Sequence, residues 1–201
     1  MKKAIEQLCA ADPVLERLIE QTGRYRIRYL DPDYEALAKA IVYQQLSGKV
    51  ASVIFERLKI AAGDGRLTAS AVLRLTPDTM RSLGLSRQKI AYLRELAAEA
   101  QAGTADFEAM KRMRDEDVIR ALTRLKGVGV WTAHMFLIFA LRRKDVLPVG
   151  DLGIRAAVQK AYGLDQLPSP GEVEAMGERW RPYRTVASWY LWRSLEPDAN
   201  L

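Results

Sequence analysis

Residues 130–141 carry almost nothing but apolar side chains: only Thr132 and His134 interrupt a run that includes Val130, Trp131, Met135, Phe136, Leu137, Ile138 and Phe139. A helix that is apolar nearly all round has no face to turn to water, so it must be enclosed by neighbouring helices. The run is entered through Leu125-Lys126-Gly127-Val128-Gly129. Before that lies a second helical pattern, with an acidic first turn at Asp115-Glu116-Asp117 and apolar Val118, Ile119, Leu122 and Leu125. Two glycines around one apolar residue read as the tight turn of a helical hairpin. An ordinary turn between packed helices accounts for the glycines equally well. The wider pattern adds an apolar lock of Leu125 and Val128, with small Ala133 where the helices touch. In such a hairpin the amides at the start of the second helix point outward, with the positive end of the helix dipole behind them, and suit one phosphate oxygen. Lys126, Gly127, Val128, Gly129 and Thr132 are the candidate phosphate-binding residues.

Elsewhere the pattern is also helical. No segment alternates cleanly with period two, and β-branched runs are few. Asp12-Pro13 opens a helix bearing Val14, Leu15, Leu18 and Ile19 and ending at Thr22-Gly23; residues 24–29 read as a connector. Asp31-Pro32-Asp33 starts the next, with Leu37, Ala40 and Ile41 inward. It runs into Tyr43-Gln44-Gln45-Leu46-Ser47, where Ser47 caps a helix whose Val50, Ile54, Phe55 and Leu58 look like core. Paired glutamines at such a junction suit a polar surface turn. Gly63-Asp64-Gly65 is a break, followed by two short helices over 68–75 and 77–83. Ser86 caps a helix through Ile90, Leu93, Leu96 and Ala97, although Arg87 and Lys89 oppose its dipole there. A short helix over 107–113, one over 152–162 stopped by Gly163, and two more over 172–181 and 185–195 complete the pattern, with residues 196–201 as a frayed tail.

The chain has 201 residues, one cysteine (Cys9), one histidine (His134) and a formal net charge of +6. The single cysteine excludes an intramolecular disulfide, a cysteine-based zinc site and an iron–sulfur cluster. The single histidine excludes two-histidine metal sites. The N-terminus turns acidic before any long apolar core, and no apolar run approaches membrane-spanning length. The expectation is a soluble intracellular protein, in the cytoplasm or nucleoid if bacterial. Its positive charge suits a polyanion without proving one.

Asp151 returns from the Leu147-Pro148-Val149-Gly150 loop just before Leu152-Gly153-Ile154-Arg155. It is a good helix N-cap and a candidate catalytic acid, and the two roles coexist. Asp145 is the competing acid, but beside Arg142, Arg143 and Lys144 it reads as a surface ion-pair partner.

Five segments together resemble the helix-hairpin-helix DNA glycosylases, in particular the alkylated-base branch of the 3-methyladenine DNA glycosylase II type. They are Ala40-Ile41-Val42-Tyr43-Gln44-Gln45-Leu46-Ser47, Gly84-Leu85-Ser86-Arg87-Gln88-Lys89, the hairpin 125–133, the loop 147–155, and Arg179-Trp180-Arg181-Pro182-Tyr183-Arg184. The resemblance implies an all-α fold, a single domain over 1–201 made of two closely packed helical lobes with a DNA-binding cleft. One lobe is expected to hold Gln45, the other the hairpin and Asp151. An extra N-terminal β-rich domain found in some members is expected to be missing.

The resemblance also assigns roles. Asp151 matches the essential aspartate, which stabilises the oxocarbenium-like sugar and orients or deprotonates water. Trp131 stands where strand-cutting members carry a Schiff-base lysine, which implies a monofunctional enzyme that hydrolyses the N-glycosidic bond of alkylated purines in base excision repair. Trp131 and Trp192 match aromatic pocket positions that sandwich a flipped base, with His134 and Met135 nearby; ordinary core packing is the plain alternative for each. A cationic alkylated purine gains roughly 0.5–2 kcal/mol from an aromatic face. Gln45, with Leu46 adjacent, matches the side chain inserted into the gap the flipped base leaves. No cofactor is required, but a potassium or sodium ion on the hairpin carbonyls is implied. The expected partner is double-stranded DNA containing alkylated bases, bound by a monomer. The choice among 3-methyladenine, 7-methylguanine, 1-methyladenine and ethenoadenine is left to pocket shape. The rival readings are a non-catalytic DNA-binding hairpin module, a glycosylase for other damaged bases that also cuts the strand, and a helical interaction scaffold.

Overall fold

Helices start where the sequence offers an acceptor for their first amides. In the computed structural model, which describes residues 1–63 and 65–195, the side chains of Asp12, Asp33, Ser47, Thr68, Thr76, Ser86, Asp106, Asp151 and Ser169 each accept a backbone N–H at a helix start. Each such cap is worth about 1 kcal/mol, enough to place a boundary but not to choose what the helix packs against. Burial does that, at about 1.5–3 kcal/mol for each large apolar side chain enclosed. All the regular elements among the described residues are helical.

The chain divides into two units. The internal unit, Tyr29–Leu141, contains α3 (Tyr34–Tyr43), α4 (Gly48–Ala62), α5 (Ala69–Arg74), α6 (Pro77–Ser82), α7 (Arg87–Gln101), α8 (Phe107–Met110), α9 (Asp115–Leu122) and α10 (Val130–Phe139). As its composition demands, α10 is enclosed: Thr132, Ala133, Met135, Phe136, Leu137 and Ile138 are all buried. It packs on α3 and α9, and α3 in turn packs on α7. Tyr34, at the start of α3, donates its hydroxyl to the Leu93 carbonyl at 2.9 Å. Helix α4 buries Ile54, Phe55 and Leu58 as expected, but Val50 is 48% exposed; it lies in the first turn, beside the cap. Helix α9 stops at Leu122, so Leu125 belongs to the turn.

The split unit is made of Met1–Arg28 and Arg142–Leu201. It holds α1 (Lys2–Ala11), α2 (Pro13–Thr22), α11 (Leu152–Tyr162), α12 (Pro170–Gly177), a 3-10 turn (Glu178–Trp180) and α13 (Arg184–Leu195). Helix α1 was not legible in the sequence, for it lacks a side-chain cap. Helix α12 begins two residues before the expected start and passes into the 3-10 turn where 172–181 reads as one helix. Leu8, Leu15, Ile154, Val158, Val173 and Leu191 form the core together with Trp180.

Asp12 joins the two chain segments of this unit. It is 1% exposed; its Oδ1 caps α2 on Val14 and Leu15, and its Oδ2 accepts Trp180 Nε1 at 2.8 Å and the Tyr162 hydroxyl. Burial alone would raise its pKa, but the hydrogen bonds from Tyr162, Trp180, Leu15 and Val14 together hold it below the ordinary carboxylate value. Asp64 and the tail expected over 196–201 lie outside the described residues.

Candidate active site

The hairpin turn is built on two constraints at Gly127. Its φ is +81°, and a Cβ there would stand 2.2 Å from the Tyr92 ring of α7. The left-handed backbone and the ring each exclude a side chain. Val128 then turns inward, buried at the Leu125 end of the turn, with its N–H on the Leu125 carbonyl at 3.1 Å. Gly129 is the N-cap residue of α10 and supplies no capping side chain. The first amides of a helix have no intrahelical carbonyl to bond, so this end of α10 presents N–H dipoles at the exposed Gly129-Val130 corner.

Next to the hairpin is a cavity of about 800 Å³. Its lining includes Gln45, Gln88, Lys89, Arg124, Lys126 and Trp131, and no acidic side chain. Lys126 is exposed and 3.6 Å from Glu95, a surface pair that contributes little to stability. Trp131 is half-buried. Thr132 is 1% exposed, and its Oγ1 accepts Gln44 Nε2 at 2.8 Å.

The paired glutamines are not a plain surface turn. Gln44 Nε2 also donates to the Gly127 carbonyl at 2.8 Å. Lys89 Nζ donates to the carbonyls of Val42 and Gln44, both at 2.7 Å, and burial lowers the pKa of this ammonium. Gln45 takes φ +56°, and Leu46 is 37% exposed. These bonds place Gln45 and the hairpin in one unit, where the sequence reading put them in different lobes. The chain leaves that unit at Leu141, ten residues before the carboxylate.

Asp151 lies in the split unit, at the N-terminus of α11. Its N–H closes a turn on the Pro148 carbonyl at 2.8 Å. Its Oδ1 accepts two donors, Ile154 N and Trp192 Nε1, each at 2.8 Å. Gly153 makes room for this: a Cβ there would be 3.0 Å from Asp151 Oδ1 and 3.2 Å from Trp192 Cδ1. The indole expected as a stacking wall thus carries a further duty, holding the carboxylate by its edge. Asp145 is an ion-pair partner, as expected, and its arginines include two that are distant in sequence. Arg184 Nε donates to its Oδ1 at 2.8 Å and Arg181 to its Oδ2 at 2.7 Å. Burial alone would raise its pKa; Arg184 and then Arg181 keep it below the ordinary carboxylate value.

Met135 is 8% exposed within the core of the internal unit, and His134 is half-buried; neither lines the hairpin cavity. Residues the sequence reading passed over are Gln44, Lys89, Tyr92 and Gly153. Only Lys89 signalled itself, as a cation at the wrong end of a helix. Among the described residues no cluster of three or more His, Cys, Asp or Glu side chains could hold a metal. No described helix is long and apolar enough to cross a membrane.

Comparison with known proteins follows the same lines. The DNA-3-methyladenine glycosylase 1 of Schizosaccharomyces pombe is 35% identical over 96% of this chain and 87% of its own length. The solved structure of the S. pombe 3-methyladenine DNA glycosylase in complex with abasic DNA superposes with a TM-score of 0.90, covering 96% of each chain. A DNA-3-methyladenine glycosidase from Bacillus halodurans, 34% identical, gives a TM-score of 0.79 over 96% of this chain and 89% of that one. Residues 38–182 match the HhH-GPD superfamily base excision DNA repair protein family. With its hairpin, its all-helical units and its capping aspartate, the chain belongs to the HhH-GPD superfamily of base excision DNA repair proteins.

Proposed function

We propose that this protein is a monofunctional DNA glycosylase that hydrolyses the N-glycosidic bond of alkylated purines in duplex DNA, acting as a monomer inside the cell. The observation that carries this reading is the Asp151 carboxylate, fixed at a helix N-terminus by Ile154 N–H and Trp192 Nε1, in a chain whose hairpin helix bears Trp131 in place of an amine nucleophile. The hairpin amides, with Arg124 and Lys126 beside them, suit the DNA backbone, which such contacts position without reading sequence.

The chemistry then needs few groups. As the bond from C1′ to the purine nitrogen breaks, the base keeps the electron pair and a cationic alkylated base leaves neutral. Positive charge builds on the sugar ring, and a fixed carboxylate opposes it without reorganising. Water adds to C1′ and gives its proton to Asp151. The two donors on Oδ1 set the direction of the carboxylate, so its position is decided before substrate arrives. Trp131 contributes an aromatic face to a cationic base and no amine to attack C1′. A monovalent cation fits the neutral carbonyl donors of the turn around residues 125–128, of which Gly127's already receives Gln44; it would supply positive charge near a phosphate.

The test is chromatography of bases released from DNA treated with a methylating agent. Release of methylated purines by the wild type, and none by Asp151→Asn, is expected. DNA binding without release of any base would leave only a binding module.

A further inference from the structure

The end of α3 is held in an unusual way. The last carbonyls of a helix have no amide to bond, and here those of Val42 and Gln44 converge on one ammonium, Lys89 Nζ, at 2.7 Å each. The cation suits the negative end of the α3 dipole. At the start of its own helix the same charge is unfavourable, and it is half-buried. A lysine in this place is expensive to desolvate, and an apolar junction would be cheaper. What the ammonium provides instead is geometry: it fixes the main chain of residue 44 from the side of α7. The side chain of that residue reaches the other way, to the Gly127 carbonyl and Thr132 Oγ1 at 2.8 Å each. Gln44 is therefore bonded on both sides, its backbone to α7 and its amide to the hairpin. The next two residues are Gln45, in the left-handed region at φ +56°, and the exposed Leu46. They lead directly out of this double anchor.

We propose that Lys89 and Gln44 are positioning residues that lock the Gln45-Leu46 turn to the phosphate-gripping hairpin, so that gripping the backbone and inserting into the base stack occur as one rigid step. This rests on the glycosylase reading above, in which Gln45 and Leu46 fill the gap left by an extruded base. The Lys89 ammonium and the Gln44 amide are spent on protein acceptors, so in this reading both act through Gln45 and Leu46. The lock spares the enzyme the ordering of a loose loop at each encounter, a cost that otherwise comes out of the binding energy.

The variants to compare are Lys89→Met, Gln44→Ala and the conservative Lys89→Arg, in the full chain. One readout is the fluorescence of 2-aminopurine beside a stable abasic analogue in a duplex, which reports insertion. The others are affinity for undamaged duplex and single-turnover excision from methylated duplex and single-stranded oligonucleotides. Lys89→Met and Gln44→Ala should lower the insertion equilibrium and duplex excision about tenfold, the worth of one charge-assisted or well-buried hydrogen bond. Undamaged-duplex affinity should stay within about threefold, since phosphate contacts are retained. Single-stranded excision, which needs no insertion, should match wild type, and Lys89→Arg should recover most of the duplex rate. Normal insertion in both variants overturns the proposal. So does an equal loss on duplex and single strand, or a loss of undamaged-duplex affinity as large as the loss of insertion. If Lys89→Met does not fold, Gln44→Ala decides alone by the same criteria. If the wild type releases no base from any substrate, the glycosylase reading fails, while the fluorescence comparison still decides the lock.

Discussion

Trp192 donates its indole N–H to Asp151 Oδ1 at 2.8 Å, and the two meet over Gly153, where a single methyl group would crowd both. Three residues far apart in chemistry thus define one direction in space. A carboxylate that only capped α11 would be held by Ile154 N–H alone and free to rotate about it. The indole removes that freedom, at the cost of making the tryptophan hard to replace.

Trp192→Phe keeps the ring and deletes the donor. A hydrogen bond to a charged group is worth about 1.5–3 kcal/mol, so single-turnover excision should fall about tenfold or more, while affinity for lesion-containing DNA stays within about twofold. Gly153→Ala should lower the same rate by forcing the pair apart. An unchanged rate in Trp192→Phe, read by quenched-flow assay, would remove the indole from the mechanism.

Asp151→Asn preserves shape and an amide oxygen that still caps Ile154 N–H. Excision should drop by about 10³-fold or more, comparable to removing a principal electrostatic stabiliser, with DNA binding and thermal midpoint nearly unaltered. Residual excision near the wild-type level would show that another group does the chemistry.

Trp131 has no amine, so borohydride should trap no covalent protein–DNA adduct during turnover. An adduct on denaturing gels would reveal a lysine nucleophile elsewhere in the chain and a strand-cutting mechanism.

Gly127→Ala asks an alanine to adopt φ +81° and to occupy the Tyr92 ring, 2.2 Å away. A loss of about 2–4 kcal/mol of stability is expected from strain plus displacement. The variant should also bind DNA more weakly, with a salt dependence shallower by about one phosphate contact. Chemical denaturation and salt titration of a fluorescent duplex measure the two effects separately.

Acid should weaken the split unit through Asp12 and Asp145. Both have folded pKa values below the ordinary 3.8. Their stabilisation is therefore complete above that value and is lost as pH falls through the depressed folded values. Asp12→Ala strips the acceptor from two helix amides, Trp180 and Tyr162, and should cost about 3–5 kcal/mol at neutral pH. Its stability should then decline less steeply below pH 3.8 than that of the wild type, as read by urea unfolding at a series of pH values.

What could be read from the sequence was local. Asp12, Asp33, Ser47, Ser86 and Asp151 act within three residues of themselves, and each marks a helix start the structure contains. The nearly continuous apolar character of 130–141 likewise required a buried helix. What escaped were relations across long stretches of chain. Gln44 to Gly127 spans 83 residues and Trp192 to Asp151 spans 41, and no periodicity encodes either. The same limit explains the misassigned lobe: a hairpin read as preceding Asp151 in sequence is bonded to Gln44, and its chain segment ends at Leu141. The pairs of Asp145 with Arg181 and Arg184, 36 and 39 residues away, escaped for the same reason.

The division of one unit between both ends of the chain also orders events during synthesis. Residues up to Arg28 leave the ribosome before the internal unit, yet the groups that complete their core, Tyr162 and Trp180, lie 150 and 168 residues beyond Asp12. At about 5–20 residues per second, the first two helices wait on the order of ten seconds for their partners. The internal unit has its whole chain well before that. A transcript truncated before residue 180 therefore yields a polypeptide with the hairpin intact, the first helices stranded with Leu8, Leu15 and Ile19 uncovered, and an aspartate lacking its indole. Such a fragment exposes apolar surface that favours aggregation.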